Sequence, residues 1–141
     1  MIATDFPKAS PDSALAAFNS GYNCAQSVVK VFAEAYSFDK NDFVTKAAGY
    51  GGGGFHGICG AVSGAYLVLE MFCSQKSETK NAMFCIETLK KKFRQQFEQL
   101  YGTDQCKVLL RNEATQPKNS AHSICERCIV DAVEIINGLL R

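Results

Sequence analysis

Thr79–Gly102, TKNAMFCIETLKKKFRQQFEQLYG, decides the fold, because Ala82, Cys85, Ile86, Leu89, Phe93, Phe97 and Leu100 recur along it at steps of three and four. Lys90, Lys91, Lys92, Arg94, Gln95 and Gln96 fill the opposite face. One apolar stripe on an otherwise charged cylinder predicts an amphipathic α-helix lying on a core, with Thr79 as candidate cap and Gly102 as its stop.

The core it would lie on is upstream. From Cys59 to Phe72 the chain is apolar nearly all round, which predicts a helix buried in the middle of a bundle. Gly60, Ala61, Gly64 and Ala65 would let neighbouring backbones come close. The longest apolar segment, Ile58 to Cys73, is interrupted by Ser63 and Glu70 and is shorter than the roughly 20 residues that span a bilayer, so no membrane span is expected.

Helix signals continue in both directions. Ser10-Pro11-Asp12 reads as a helix entry, with Leu15, Ala16, Ala17 and Phe18 behind it and Gly21 at its end. Asn23 and Gln26 form a capping-box pattern before CAQSVVKVFAEAY, and a third helix starts at Asp39 or Asn41 and stops at Gly49. After Gly102 a short helix from Thr103 carries Cys106, Val108, Leu109 and Leu110. The polar NEATQPKNSAH makes the one long loop. Ser123 and Glu126 then cap a last helix whose core stripe is Ile129, Val133, Ile136 and Leu140. No alternating strand pattern or repeat competes, so the expectation is an all-α, single-domain bundle of about six helices over residues 1–141, with residues 1–10 a loosely ordered N-terminus.

A chain of 141 residues can bury one core without disulfide staples. Its formal charge of +1 contains no long run of one sign, which argues against nucleic acid and anionic membrane surfaces as partners. Asp5, Pro7 and Lys8 interrupt the place where a signal peptide needs an apolar run, so a cytoplasmic location is expected.

The chemistry lies in sulfur: seven cysteines accompany only two histidines. An odd number in a reducing compartment argues against a full disulfide framework, leaving redox exchange, metal binding and packing. Cys24 follows the cap Asn23, Cys59 follows the glycine run of Tyr50–Gly64, YGGGGFHGICGAVSG, Cys106 follows Thr103, and Cys125 follows Ser123. All four fall in the first turn of an expected helix, where unpaired N–H groups and the helix dipole stabilise a thiolate. Gly53, Gly54 and Gly57 add unshielded backbone N–H groups that can wrap an anionic sulfur or a sulfur-ligated cofactor, and the run is read as a flexible approach exposing Cys59. Without G-K-[ST] or a preceding strand, the run is not read as a phosphate loop.

The remaining residues read more plainly. Cys73 and Cys85 fall on core faces, where cysteine behaves as a small apolar residue. Cys128 makes C-E-R-C with Cys125, half a metal site, a redox pair or simply core. Ile129 stands where a c-type haem motif needs histidine, so no such haem is expected. His56 and His122 each precede a cysteine by three residues and are weaker candidate ligands, better read as partly exposed loop residues. Glu34 and Glu70 are given no role.

With these residues in hand, the chain resembles the family labelled redox-active and named for its C-GCAxxG-C-C cysteine pattern, a group of small helical proteins. Gly21-Tyr22-Asn23-Cys24-Ala25-Gln26 looks like its first cysteine context, and Cys59-Gly60-Ala61-Val62-Ser63-Gly64 like its central motif. Cys106 behind Tyr101-Gly102 looks like the third cysteine, and Cys125 like the fourth, with Cys128 competing for that place. The likeness runs from about Leu15 to Leu139. It implies a redox or metal-linked role for Cys24, Cys59, Cys106 and Cys125, either as thiols of an oxidoreductase exchanging disulfides with a redox partner, or as ligands of zinc or an Fe–S cluster. The apolar faces leave room for a homo-oligomer.

Overall fold

The computed structural model describes residues 7–76, 79–114 and 122–140. Among them are seven α-helices: α1 (Pro11–Asn19), α2 (Cys24–Tyr36), α3 (Lys40–Ala47), α4 (Gly60–Lys76), α5 (Thr79–Tyr101), α6 (Cys106–Ala114) and α7 (Ile124–Leu139). A tight 3-10 segment, Ala48–Gly53, joins α3 to the loop before α4. The architecture is all-α, as the periodicity predicts.

Four of the caps form where the sequence puts them. Ser10 accepts the Ser13 N–H and Asp39 the Asp42 N–H, while Asn23 with Gln26 and Ser123 with Glu126 make full capping boxes. Each box satisfies two backbone donors that the first turn would otherwise leave unpaired. Thr79, the candidate cap, is instead the first residue of α5; Asn112, Glu113 and Ala114 of the expected loop belong to α6, and residues 77–78 and 115–121 lie outside the described residues.

α4 is the centre of the bundle and packs against α2, α5 and α7. Ala61, Val62, Ala65, Val68 and Leu69 are all buried. Its near-uniform apolarity follows from having neighbours on several sides rather than one. A Cβ on Gly64 would lie 2.7 Å from the Ala25 carbonyl oxygen, so glycine here is what lets α4 and α2 touch backbone to backbone. α5 contributes Phe93 and Phe97, both fully buried and stacked at 5.9 Å; burying each such ring contributes on the order of 1.5–3 kcal/mol. Lys90 on the half-buried edge of α5 reaches Glu70 of α4 at 2.7 Å, which gives Glu70 its place. Glu34 pairs with Lys30 and Lys40 on the surface.

Three local expectations differ from the structure. Leu100 is 59% exposed, because Tyr101, one residue on, takes the place against Phe97 and the core, with ring centroids 4.8 Å apart. Cys73 and Cys85 do more than pack: their Sγ atoms stand 2.10 Å apart, at disulfide distance, joining α4 to α5. Within the start expected to be loose, residues 1–6 lie outside the described residues, but Ala9 is buried, and its N–H and C=O are both held by the Asn137 side chain of α7. No helix among the described residues is long and apolar enough to cross a membrane.

Candidate functional site

Cys24 and Cys106 are the first residues of α2 and α6, Cys125 is the second of α7, and Cys59 occupies the cap position just before α4. The helix starts that carry them converge. α2 packs on α4 and α4 on α7, and a short backbone ladder brings α6 to the same place. In that ladder the Cys59 N–H donates to Asp104 O at 2.7 Å, and the Cys106 N–H donates to Gly57 O at 2.9 Å. Cys59 and Cys106 are thereby fixed side by side.

The glycines close the gaps between them. A Cβ at Gly60 would fall 2.1 Å from the Cys24 sulfur, and one at Gly53 would fall 3.2 Å from Cys106 Cβ. Gly60 is therefore the seat of the Cys24 thiol. The run is not a flexible arm exposing Cys59, which is only 7% accessible. The Gly54 and Gly57 N–H groups, expected to be available to an anionic ligand, donate instead to Gly51 O and Gly53 O within the loop. Gly52 is the glycine whose N–H meets a sulfur, that of Cys24.

Cys128, given only a secondary place by the sequence, lies at the heart of the group. Its thiol is hydrogen-bonded to Cys59, it is 1% accessible, and it also meets the Tyr101 hydroxyl, which donates to Asp131 Oδ2. The chain Cys59, Cys128, Tyr101, Asp131 thus leads from a buried sulfur to a half-buried carboxylate. The CxxC spacing was the one sequence signal for Cys128, since i and i+3 share a helix face. Nothing local marks Tyr101 or Asp131.

These contacts divide the thiols electrostatically. The hydrogen bond from Cys128, helped by the Ala61 and Val62 N–H groups at the start of α4, holds the Cys59 thiol below the usual range despite its burial. Hydrogen bonding to Cys59 and burial push Cys128 up. Burial raises Cys24 and Cys106, and burial plus repulsion from Cys24, Cys59, Cys106 and Glu113 pushes Cys125 up to about 11. One sulfur is thus shifted down among four that are shifted up.

A cleft of about 10 Å³ opens over the group, lined by Cys59, Cys106, Leu109, Leu110, Ile124, Cys125 and Cys128. It has room for roughly one water-sized sphere. His56 is exposed against the Phe55 ring, 4.5 Å between centroids, and His122 faces Glu126 at 3.5 Å. Neither belongs to the cleft wall. Among the described residues no three His, Cys, Asp or Glu side chains stand together as a donor set for a metal ion.

The sequence profile of the family described as "Putative redox-active protein (C_GCAxxG_C_C)" matches residues 22–139. No curated protein and no solved structure matches the chain.

Proposed function

The chain belongs to the C_GCAxxG_C_C family, and from that membership we propose that it transfers electrons by thiol–disulfide exchange, with Cys59 as nucleophile and Cys128 as its resolving thiol. The observation that carries this reading is the meeting of two buried thiols in one cleft wall, Cys59 at the cap of α4 and Cys128 on α7, the first held below and the second pushed above the ordinary thiol range. A low-pKa sulfur beside a high-pKa one is the arrangement that attack and resolution need.

In the reducing direction, Cys59 Sγ attacks one sulfur of a partner disulfide; a Cys59–S bond forms, the partner S–S bond breaks, and a partner thiolate leaves. Cys128 Sγ then attacks Cys59 Sγ of the mixed disulfide, and its proton leaves with the second partner thiol. Two electrons have passed from the Cys59–Cys128 dithiol to the partner. Cys24, Cys106 and Cys125 are less buried, and they offer positions to which the disulfide can be handed towards the surface.

The test is peptide mapping of the fully reduced protein after brief exposure to a small disulfide oxidant. A Cys59–Cys128 linkage, absent from Cys59→Ser and reversed by reductant, is the expected result; Cys59 still titratable as a free thiol would end the reading. The rival use of the same sulfurs, as ligands of zinc or an Fe–S cluster, has one support in the mutual repulsion of Cys24, Cys59, Cys106 and Cys125, which a cation would relieve. Anaerobic purification followed by metal analysis and visible absorption separates the two: stoichiometric metal with all four thiols protected favours the ligand role.

A further inference from the structure

The cleft over Cys59 is narrow for a disulfide. With room for roughly one water-sized sphere, it hinders the substituents of a peptide or glutathione disulfide from approaching a sulfur that is 7% accessible. Its wall also offers a charged substrate nothing to hold: apart from the thiols, it is made of Leu109, Leu110 and Ile124. A reactant reaching Cys59 must present its electrophilic atom at the end of a thin chain, and that atom must tolerate an apolar, sulfur-lined surface.

We infer that the electron acceptor of this site is sulfane sulfur, the terminal sulfur of a persulfide or an inorganic polysulfide. This inference rests on the exchange reading of Cys59 and Cys128 and names its substrate class. The terminal sulfur of R–S–SH is one atom wide and weakly hydrated, so desolvating it against three aliphatic side chains costs little. A hydroperoxide end is of comparable size but needs hydrogen-bond partners that the aliphatic wall lacks. Thiolates attack sulfane sulfur directly and carry it as a persulfide.

The chemistry balances without a further oxidant. The Cys59 thiolate attacks the outer sulfur of R–S–SH; a bond forms between Cys59 Sγ and that sulfur, the bond to R–S breaks, and R–S leaves with the proton as RSH. Cys59 now carries a persulfide anion, its added atom occupying the cleft. Cys128 Sγ attacks Cys59 Sγ, the persulfide bond breaks, and the outer sulfur departs with the Cys128 proton as hydrosulfide. Sulfane sulfur has been reduced by two electrons to sulfide, and the Cys59–Cys128 dithiol has become a disulfide. An external dithiol reductant returns the pair to its starting state. Cys128 and Cys59 line the same cleft, which places the resolving thiol beside the atom it must attack.

The experiment treats the reduced full chain anaerobically with a small alkyl persulfide, whose leaving group in the first step is a thiol, following released sulfide and intact mass, and repeats it with glutathione disulfide. The expected outcome is one sulfide released per Cys59–Cys128 linkage formed, at a rate at least tenfold above that of linkage formation with glutathione disulfide. Cys128→Ser should stop at a gain of one sulfur atom on Cys59 and release no sulfide. Should that variant fail to fold, the wild-type sulfide stoichiometry and rate ratio decide alone. A Cys59–Cys128 linkage formed equally fast from the bulky disulfide, or formed with no sulfide released from the persulfide, overturns the sulfur acceptor and leaves thiol exchange standing. Protein whose Cys59 reacts with neither reagent overturns both.

Discussion

At the scale of single residues, the site turns on a difference between neighbouring sulfurs. Cys59 is buried and yet its thiol is held low, because Cys128 and two backbone N–H groups of α4 do for the thiolate what water would do elsewhere. Replacing Cys128 with alanine removes the largest of these contributions while burial remains. The pH midpoint for alkylation of the Cys59 peptide by iodoacetamide is therefore expected to rise; an unchanged midpoint would remove Cys128 from the account. Gly60→Ala tests the seat of Cys24. Its Cβ would be placed 2.1 Å from that sulfur, an overpacking expected to cost roughly 1–3 kcal/mol in urea unfolding and to change the alkylation rate of Cys24. A variant as stable as the parent, with Cys24 unaltered, would mean that the helix starts give way freely.

At the scale of elements, the helix caps hold the site as well as the helices. Asn23 accepts the Gln26 N–H at 2.7 Å and donates through Nδ2 to Ala48 O at 2.9 Å, so one side chain both starts α2 and ties it to the glycine loop. Asn23→Ala is expected to lower stability by about 1–2 kcal/mol, read from the shift of the urea midpoint at constant slope. Glycine at the same position, which keeps much of the cap's backbone freedom, should cost less. Such caps are legible in sequence because their partners lie three residues apart. The stripe Phe93 and Phe97 is legible for the same local reason. What local spacing does not encode is contact between helices: Cys73 against Cys85 and Cys59 against Cys128 arise from the way α4 meets α5 and α7. Leu100 shows the converse, since a step of three from Phe97 fits the pattern while Tyr101, at a step of four, takes the place against the core.

At the scale of the molecule, the protonated thiols set how the fold responds to alkali. Cys125 is pushed up to about 11 from an ordinary 9.0, and burial raises Cys24 and Cys106 as well. Above about pH 9 the unfolded chain releases protons that the folded chain retains, so stability falls as pH rises through the interval from 9 to 11. Cys59 works in the opposite sense: its lowered value contributes stability above the ordinary thiol range that is lost as pH falls through its folded value. The raised group is the larger, so the urea midpoint under reducing conditions should drop between pH 9 and 11, and Cys125→Ser should flatten that slope. A midpoint that holds steady over the interval would contradict the burial of these thiols.

The four motif cysteines were readable one at a time, from Asn23, the glycine run, Tyr101-Gly102 and Ser123, but their meeting was not, because it depends on residues from nearly every part of the chain. That dispersal has a consequence in time. Cys24 comes from the second helix and Cys128 from the last, so the group of sulfurs exists only once α7 has docked on α4. Contacts so distant in sequence form late in folding, after their loop-closure entropy has been met. Until then each thiol is an ordinary one, and the lowered Cys59 is a property of the finished molecule. A refolding experiment pulsed with iodoacetamide would show Cys59 gaining its reactivity in the final kinetic phase, together with native ellipticity, and a Cys59 already activated in an earlier phase would place the docking of α7 elsewhere in the order.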